Sequence, residues 1–133
     1  MKKTKLELTI YGIPRTKKNS QIPAVNKKTG RPMIIQNKLY RDYEKDAVKQ
    51  IEDLHKTWHI DYLCNCQYVY YRPTKIRVDQ SNLMAATDDI LVKAGVLEDD
   101  NWKIIGGHDG TRVRFDPGNP RVEITITEMK DEF

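Results

Sequence analysis

Cysteine is nearly absent, with two in 133 residues. Cys64 and Cys66 stand one residue apart, so on a strand both point to the same face, and no second Cys or nearby His pair completes a zinc set. They read as reduced core thiols of an intracellular, cytoplasmic protein. Long apolar runs are missing as well. No stretch of eighteen such residues is present, so no membrane span is expected, and Met1-Lys2-Lys3-Thr4-Lys5 has no apolar core of a secretory signal after it. No nucleophile elbow, phosphate-binding glycine loop or dinucleotide fingerprint appears. His55 and His59 have i, i+4 spacing on the expected end of a long helix, but no Glu lies between them, so surface histidines are expected. There is no internal repeat, and only the short charged termini approach low complexity.

What is present is charge, unevenly placed. Charged residues make up 32% and hydrophobic ones 38%, enough for a modest core in a 15.6 kDa chain read as one domain, 1–133. The net charge of +4 hides a split. Residues 1–41 carry eleven Lys and Arg against Glu7 alone, and residues 42–133 carry twelve bases against eighteen acids. Basic residues hold phosphates, and clustered carboxylates hold the divalent metal that activates water in phosphodiester cleavage.

Period-two alternation of Leu6, Leu8 and Ile10 predicts a first strand closed by Gly12 and Pro14. Residues 15–38 read as a basic loop or hairpin arm, with Thr29-Gly30 as a turn signal. Tyr40, Tyr43, Ala47, Ile51, Leu54 and Trp58 follow helical spacing, predicting a long helix from Leu39 to about Trp58. A strand is expected over 62–71, its Tyr68, Tyr70 and Tyr71 serving strand packing or a dimer face. A second helix is expected from Leu83, with Ser81 or Asn82 as N-cap and a stop at Lys93-Ala94-Gly95. Strand pieces at 102–105 and 111–115 and a last strand through Val122, Ile124 and Ile126 complete an α+β domain. Its sheet is mixed or antiparallel, with two main helices packed on it.

Candidate chemistry concentrates in the acids. Asp79 precedes the second helix, Asp88 and Asp89 lie on it, and Asp99 and Asp100 follow it. Such a cluster can offer hard oxygen ligands to Mg²⁺, and the bland alternative is a solvated helix face and a surface turn. In the basic arm, Arg15, Lys17, Lys18, Lys27, Lys28 and Arg31, with Asn19 and Ser20 as neutral donors, can track a phosphate backbone. His108-Asp109 reads as a solvated turn.

The pattern Asp79-Gln80-Ser81-Asn82-Leu83, then Asp89 to Val96 with Asp99-Asp100, and the closing 123–129 segment resembles the RusA family of Holliday junction resolvases. Pro14 to Asn19 and Tyr40-Arg41-Asp42 extend the resemblance over nearly the whole chain. It implies a RusA-like, homodimeric, Mg²⁺-dependent endonuclease, with Mn²⁺ able to substitute, that nicks four-way DNA junctions in pairs during recombination and repair. It also implies kinship with proteins of phages and prophages. Asp79 matches the first metal-binding Asp, Asn82 the family Asn and Asp100 the late Asp. Two positions depart from the pattern. The second Asp is Ser81 here, and the family Lys falls on Ala85. Ser81 and Asp88 would share a helix face with Ala85 between them, so Asp88, or Asp89, is the expected substitute carboxylate, with Asp99 as a further metal ligand. Lys75, Arg77 and Lys103 are the expected sources of the missing cation. The alternatives are a branched-DNA-binding protein without catalysis and a nuclease for other DNA branches.

Overall fold

A computed structural model of the chain describes residues 5–17, 21–36 and 38–130. Strand β1 (Lys5–Tyr11) buries Leu6, Leu8 and Ile10, as its alternation requires. It pairs antiparallel with β7 (Arg121–Glu128), placing Leu8 opposite Ile124. On its other side β7 pairs antiparallel with β4 (Cys64–Arg72), where Tyr68 faces Ile124 and Tyr70 faces Val122. The far edge of β4 takes two short parallel strands, β5 (Ile105–Gly107) at Cys64 and β6 (Arg112–Phe115) at Val69–Arg72. The result is a small single-domain α+β fold with a mixed five-stranded sheet and two helices, the class the sequence leads one to expect.

Helix α1 (Lys38–Glu52) contributes Ala47 and Ile51 to the core, and α2 (Gln80–Lys93) contributes Leu83, Ile90 and Leu91. These meet the inward side chains of β1, β4 and β7, including Cys64 and Cys66, which are free and buried as expected. Burying such a side chain contributes about 1.5–3 kcal/mol, so the shared core is what holds the helices to the sheet. The basic arm contains a hairpin, β2 (Gln21–Val25) with β3 (Pro32–Gln36), which forms its own two-stranded sheet. Its turn closes because Asn26 Oδ1 accepts from the backbone N–H of Lys28 and Thr29, and Gly30 takes the left-handed φ of 70°.

Three boundaries differ from the sequence reading. α1 stops at Glu52 rather than Trp58, because the chain turns over 53–55 and His55 adopts φ 52°. His55 and His59 therefore share no helix face. α2 starts at Gln80 with Asp79 as N-cap, in place of Ser81 or Asn82. Residues 101–104 form a turn in which Asn101 O accepts from Ile104 N, so the strand begins only at Ile105. No helix among the described residues is long and apolar enough to cross a membrane.

Candidate functional site

Helix α2 distributes the candidate acids, and it treats each differently. Asp79 occupies its N-cap with extended backbone, and its main-chain carbonyl accepts from Asn82 and Leu83. An Asp here ordinarily caps by accepting an N–H of the first turn with its side chain. The Asp79 carboxylate makes no such bond and has only a long 3.4 Å contact from Asn82 Nδ2. It is exposed, as are Ser81 and Ala85 just beyond it. The segment delivering it from β4 carries Lys75 and Arg77, also exposed.

Nine residues on, Asp88 is enclosed. A helix rises about 1.5 Å per residue, so Asp88 lies about 13 Å further along and half a turn around. Its carboxylate is 13% exposed. It accepts from Tyr68 Oη at 2.6 Å and lies 2.9 and 3.1 Å from His108 Nε2. The Asp88 hydrogen bond pushes the His108 imidazole above its ordinary pKa against the opposing effect of burial. His108 is thus a half-buried partner of Asp88 rather than a residue of a solvated turn. Asn65 fixes that turn, accepting from Asp109 N and donating to Asp109 O. The Asp88 side chain is turned to Tyr68 and His108, not along α2 toward Ser81.

Asp89 joins a network between the helices. It pairs with Lys17 and with Lys93 at 3.3 Å, Lys93 reaches Glu44 at 2.7 Å, and the buried Tyr40 Oη donates to Glu44 at 2.9 Å. Burial raises the Asp89 carboxyl, but the bonds and charges of Lys17 and Lys93 outweigh it and hold the group low.

Asp99 and Asp100 lie beyond the other end of α2. Asp99 accepts from Asp100 N at 2.7 Å and Asn101 Nδ2 at 3.1 Å, which holds its carboxyl low. Partial burial, with the nearby charges of Asp99 and Asp88, pushes Asp100 up. Their loop is tied to the start of β4, since Leu97 bridges Ile60 and Ile104 O accepts from Cys64 N. A 14-residue helix spans about 20 Å, so α2 separates Asp79 from Asp100. Among the described residues no three His, Cys, Asp or Glu side chains are gathered as a group that could hold a metal. Asp79, Asp88, Asp99 and Asp100 therefore do not form one ligand set in this chain.

The expected DNA-binding cations divide similarly. Lys27, Lys28 and Arg31 are exposed around the hairpin turn, and Lys103 is exposed with its Nζ 6.0 Å from the Trp102 ring. Lys17 is engaged with Asp89, and Asn82 is half-buried beside Asp79. Arg15 is half-buried, close enough to oppose the charge of Arg72. Lys18, Asn19 and Ser20 lie outside the described residues. The sequence reading missed Arg72, Arg114 and Phe115, which line one cleft at the end of the sheet that leads to Asp79. The alternating cations of Arg112-Val113-Arg114 were the available signal.

No protein-family model matches the chain, and no curated protein matches it.

Proposed function

We propose that the protein is a RusA-like endonuclease that acts as a homodimer on four-way DNA junctions, nicking paired strands in the presence of Mg²⁺ or Mn²⁺. The observation that carries this reading is Asp79, an exposed carboxylate that forgoes its capping bond and is delivered by a segment bearing Lys75 and Arg77. A residue whose side chain does little for the fold is free to do chemistry.

The donor chemistry at Asp79 fits Mg²⁺, which is commonly held by one or two carboxylates with waters and substrate phosphates completing its shell. A bound divalent ion supplies an activated water and stabilises the leaving oxygen. Lys75 and Arg77 neutralise phosphates beside Asp79, and Lys27, Lys28 and Arg31 hold the backbone further along an arm. The near two-fold symmetry of a four-way junction matches a symmetric dimer making paired nicks. The resemblance assigns Asp100 a metal-binding role, and its place at the far end of α2 makes it the separate carboxylate to test.

A second reading, a branched-DNA-binding protein without catalysis, is favoured by Ser81 and Ala85. Both are exposed where the family carries an acid and a lysine. The test is a strand-labelled four-way junction incubated with Mg²⁺, Mn²⁺ or chelator. Metal-dependent nicking that Asp79→Asn abolishes while binding persists supports the nuclease. Tight junction binding with no nicking in any metal supports the second reading.

A further inference from the structure

At the C-terminal end of β4 the sheet opens onto a cleft of about 240 Å³ whose lining includes Arg72, Lys75, Ile76, Val113, Arg114 and Phe115. Parallel register sets Phe115 beside Arg72 and Arg114 beside Tyr71. Two features of the cleft bear on what it could hold. The first is exposed apolar surface, since Phe115 is 50% and Ile76 71% exposed although neither covers the core. The second is like charge: beside Arg72, the lining residues Lys75 and Arg114 have no ion-pair partner among the described residues, and Arg114 Nη1 donates to the carbonyl of Val113 at 3.2 Å. Arg72 Nη1 donates to Ile76 O at 2.6 Å, while its buried Nε has no hydrogen-bond partner among them. Clustered cations repel one another, and an anion relieves that repulsion.

An aromatic ring ringed by cations suits one kind of ligand. Bases stack on aromatic faces, and Arg and Lys hold the attached phosphate. Lys75 Nζ already lies 5.1 Å from the Phe115 ring centroid. On the adjoining outer face of the sheet, Arg121 stacks 3.8 Å from the Tyr71 ring, next in register to Arg114. The surface thus continues as alternating aromatic and cationic side chains. Fully paired duplex hides its base faces, so only phosphate contacts would be available to it here.

We propose that this cleft binds an unpaired nucleotide of branched DNA, its base stacked on Phe115 and its phosphate held by Arg114 and Lys75. The inference rests on the branched-DNA reading above and deepens it. It makes the cleft a sensor of strand separation whose Arg72 and Lys75 precede Asp79 by seven and four residues in the chain.

Fluorescence anisotropy tests this with three labelled probes: a thymidine oligonucleotide, a four-way junction with a short unpaired gap, and a linear duplex. Phe115→Ala is expected to weaken binding of the oligonucleotide and the gapped junction about tenfold, while duplex binding changes by less than about twofold. Phe115→Trp is expected to keep the affinity of the parent, with its indole fluorescence quenched by the oligonucleotide. Equal affinity of Phe115→Ala and parent for the gapped junction would overturn the cleft assignment while leaving the branched-DNA reading standing. Equal losses on duplex and single strand would overturn the stacking role. Failure of the parent to bind any of the three probes would overturn both readings.

Discussion

Asp79 and Asp88 lie on one helix and are used in opposite ways. Asp88 has two partners in a nearly closed setting, whereas Asp79 has one long contact and open solvent. Asp79→Asn is therefore expected to change unfolding free energy by less than about 0.5 kcal/mol, while Asp88→Asn costs about 1.5–3 kcal/mol because Tyr68 and His108 lose a charged acceptor. Urea unfolding of both variants checks this, and equal losses would contradict it. His108 adds a pH dependence. Its pKa is raised in the folded state, so its contribution is fully present below the unfolded value of about 6.5 and is lost as pH rises through the folded value. Unfolding midpoints measured from pH 5.5 to 8.5 should fall toward the alkaline side, and His108→Gln should flatten that fall. Little of this was legible in the sequence. The Asp88–His108 bond joins residues 20 apart across a helix, a loop and a short strand, and nothing in the local pattern of His108-Asp109-Gly110 signals such a partner. By contrast, the carboxylate at Asp79 was legible, because a motif acid before a helix requires only local spacing.

At the scale of elements, periodicity reads the long strands β1, β4 and β7 well, and the helix ends and the strand piece at 102–105 less well. The alternation in β1 and β7 fixes which side chains face inward, since a one-residue slip would turn every one of them outward. The apolar spacing overshoots the end of α1 because Leu54 and Trp58 keep a helical interval. Leu54 is 44% exposed, and Trp58 reaches the core from a non-helical segment. Ser81 and Asn82 are good caps and point to a later start for α2, but Asp79 takes the position. Between the helices, Lys17, Asp89, Lys93 and Glu44 tie the basic arm's base to α1 and α2. Asp89→Asn should cost about 1 kcal/mol, and less in high salt, because the group is about one-third exposed and screened. Thermal unfolding at low and high ionic strength reads this directly, and a salt-independent loss would contradict the ionic account.

For the whole molecule, the uneven charge along the chain becomes, on the proposed reading, a division of labour between a basic arm and the acids around α2. Lys27, Lys28 and Arg31 are exposed around the hairpin turn, where on the proposed reading they neutralise phosphates without reading sequence, and the acids of α2 stand elsewhere. Replacing all three with Gln should lower the slope of log affinity against log salt by about 2 to 3 while leaving nicking positions unchanged. An unchanged slope in a salt titration would place the phosphate contacts elsewhere. The charge split was plain in the sequence, but the arrangement was not. The cleft at Phe115 requires β6 to lie beside β4, a pairing across more than forty residues. The most direct test of the account is one measurement, the cleavage of a four-way junction and of a linear duplex of matched sequence by the purified protein in Mg²⁺. Symmetric paired nicks in the junction alone are the predicted result, and equal cleavage of both substrates, or of neither, would contradict a junction-specific nuclease.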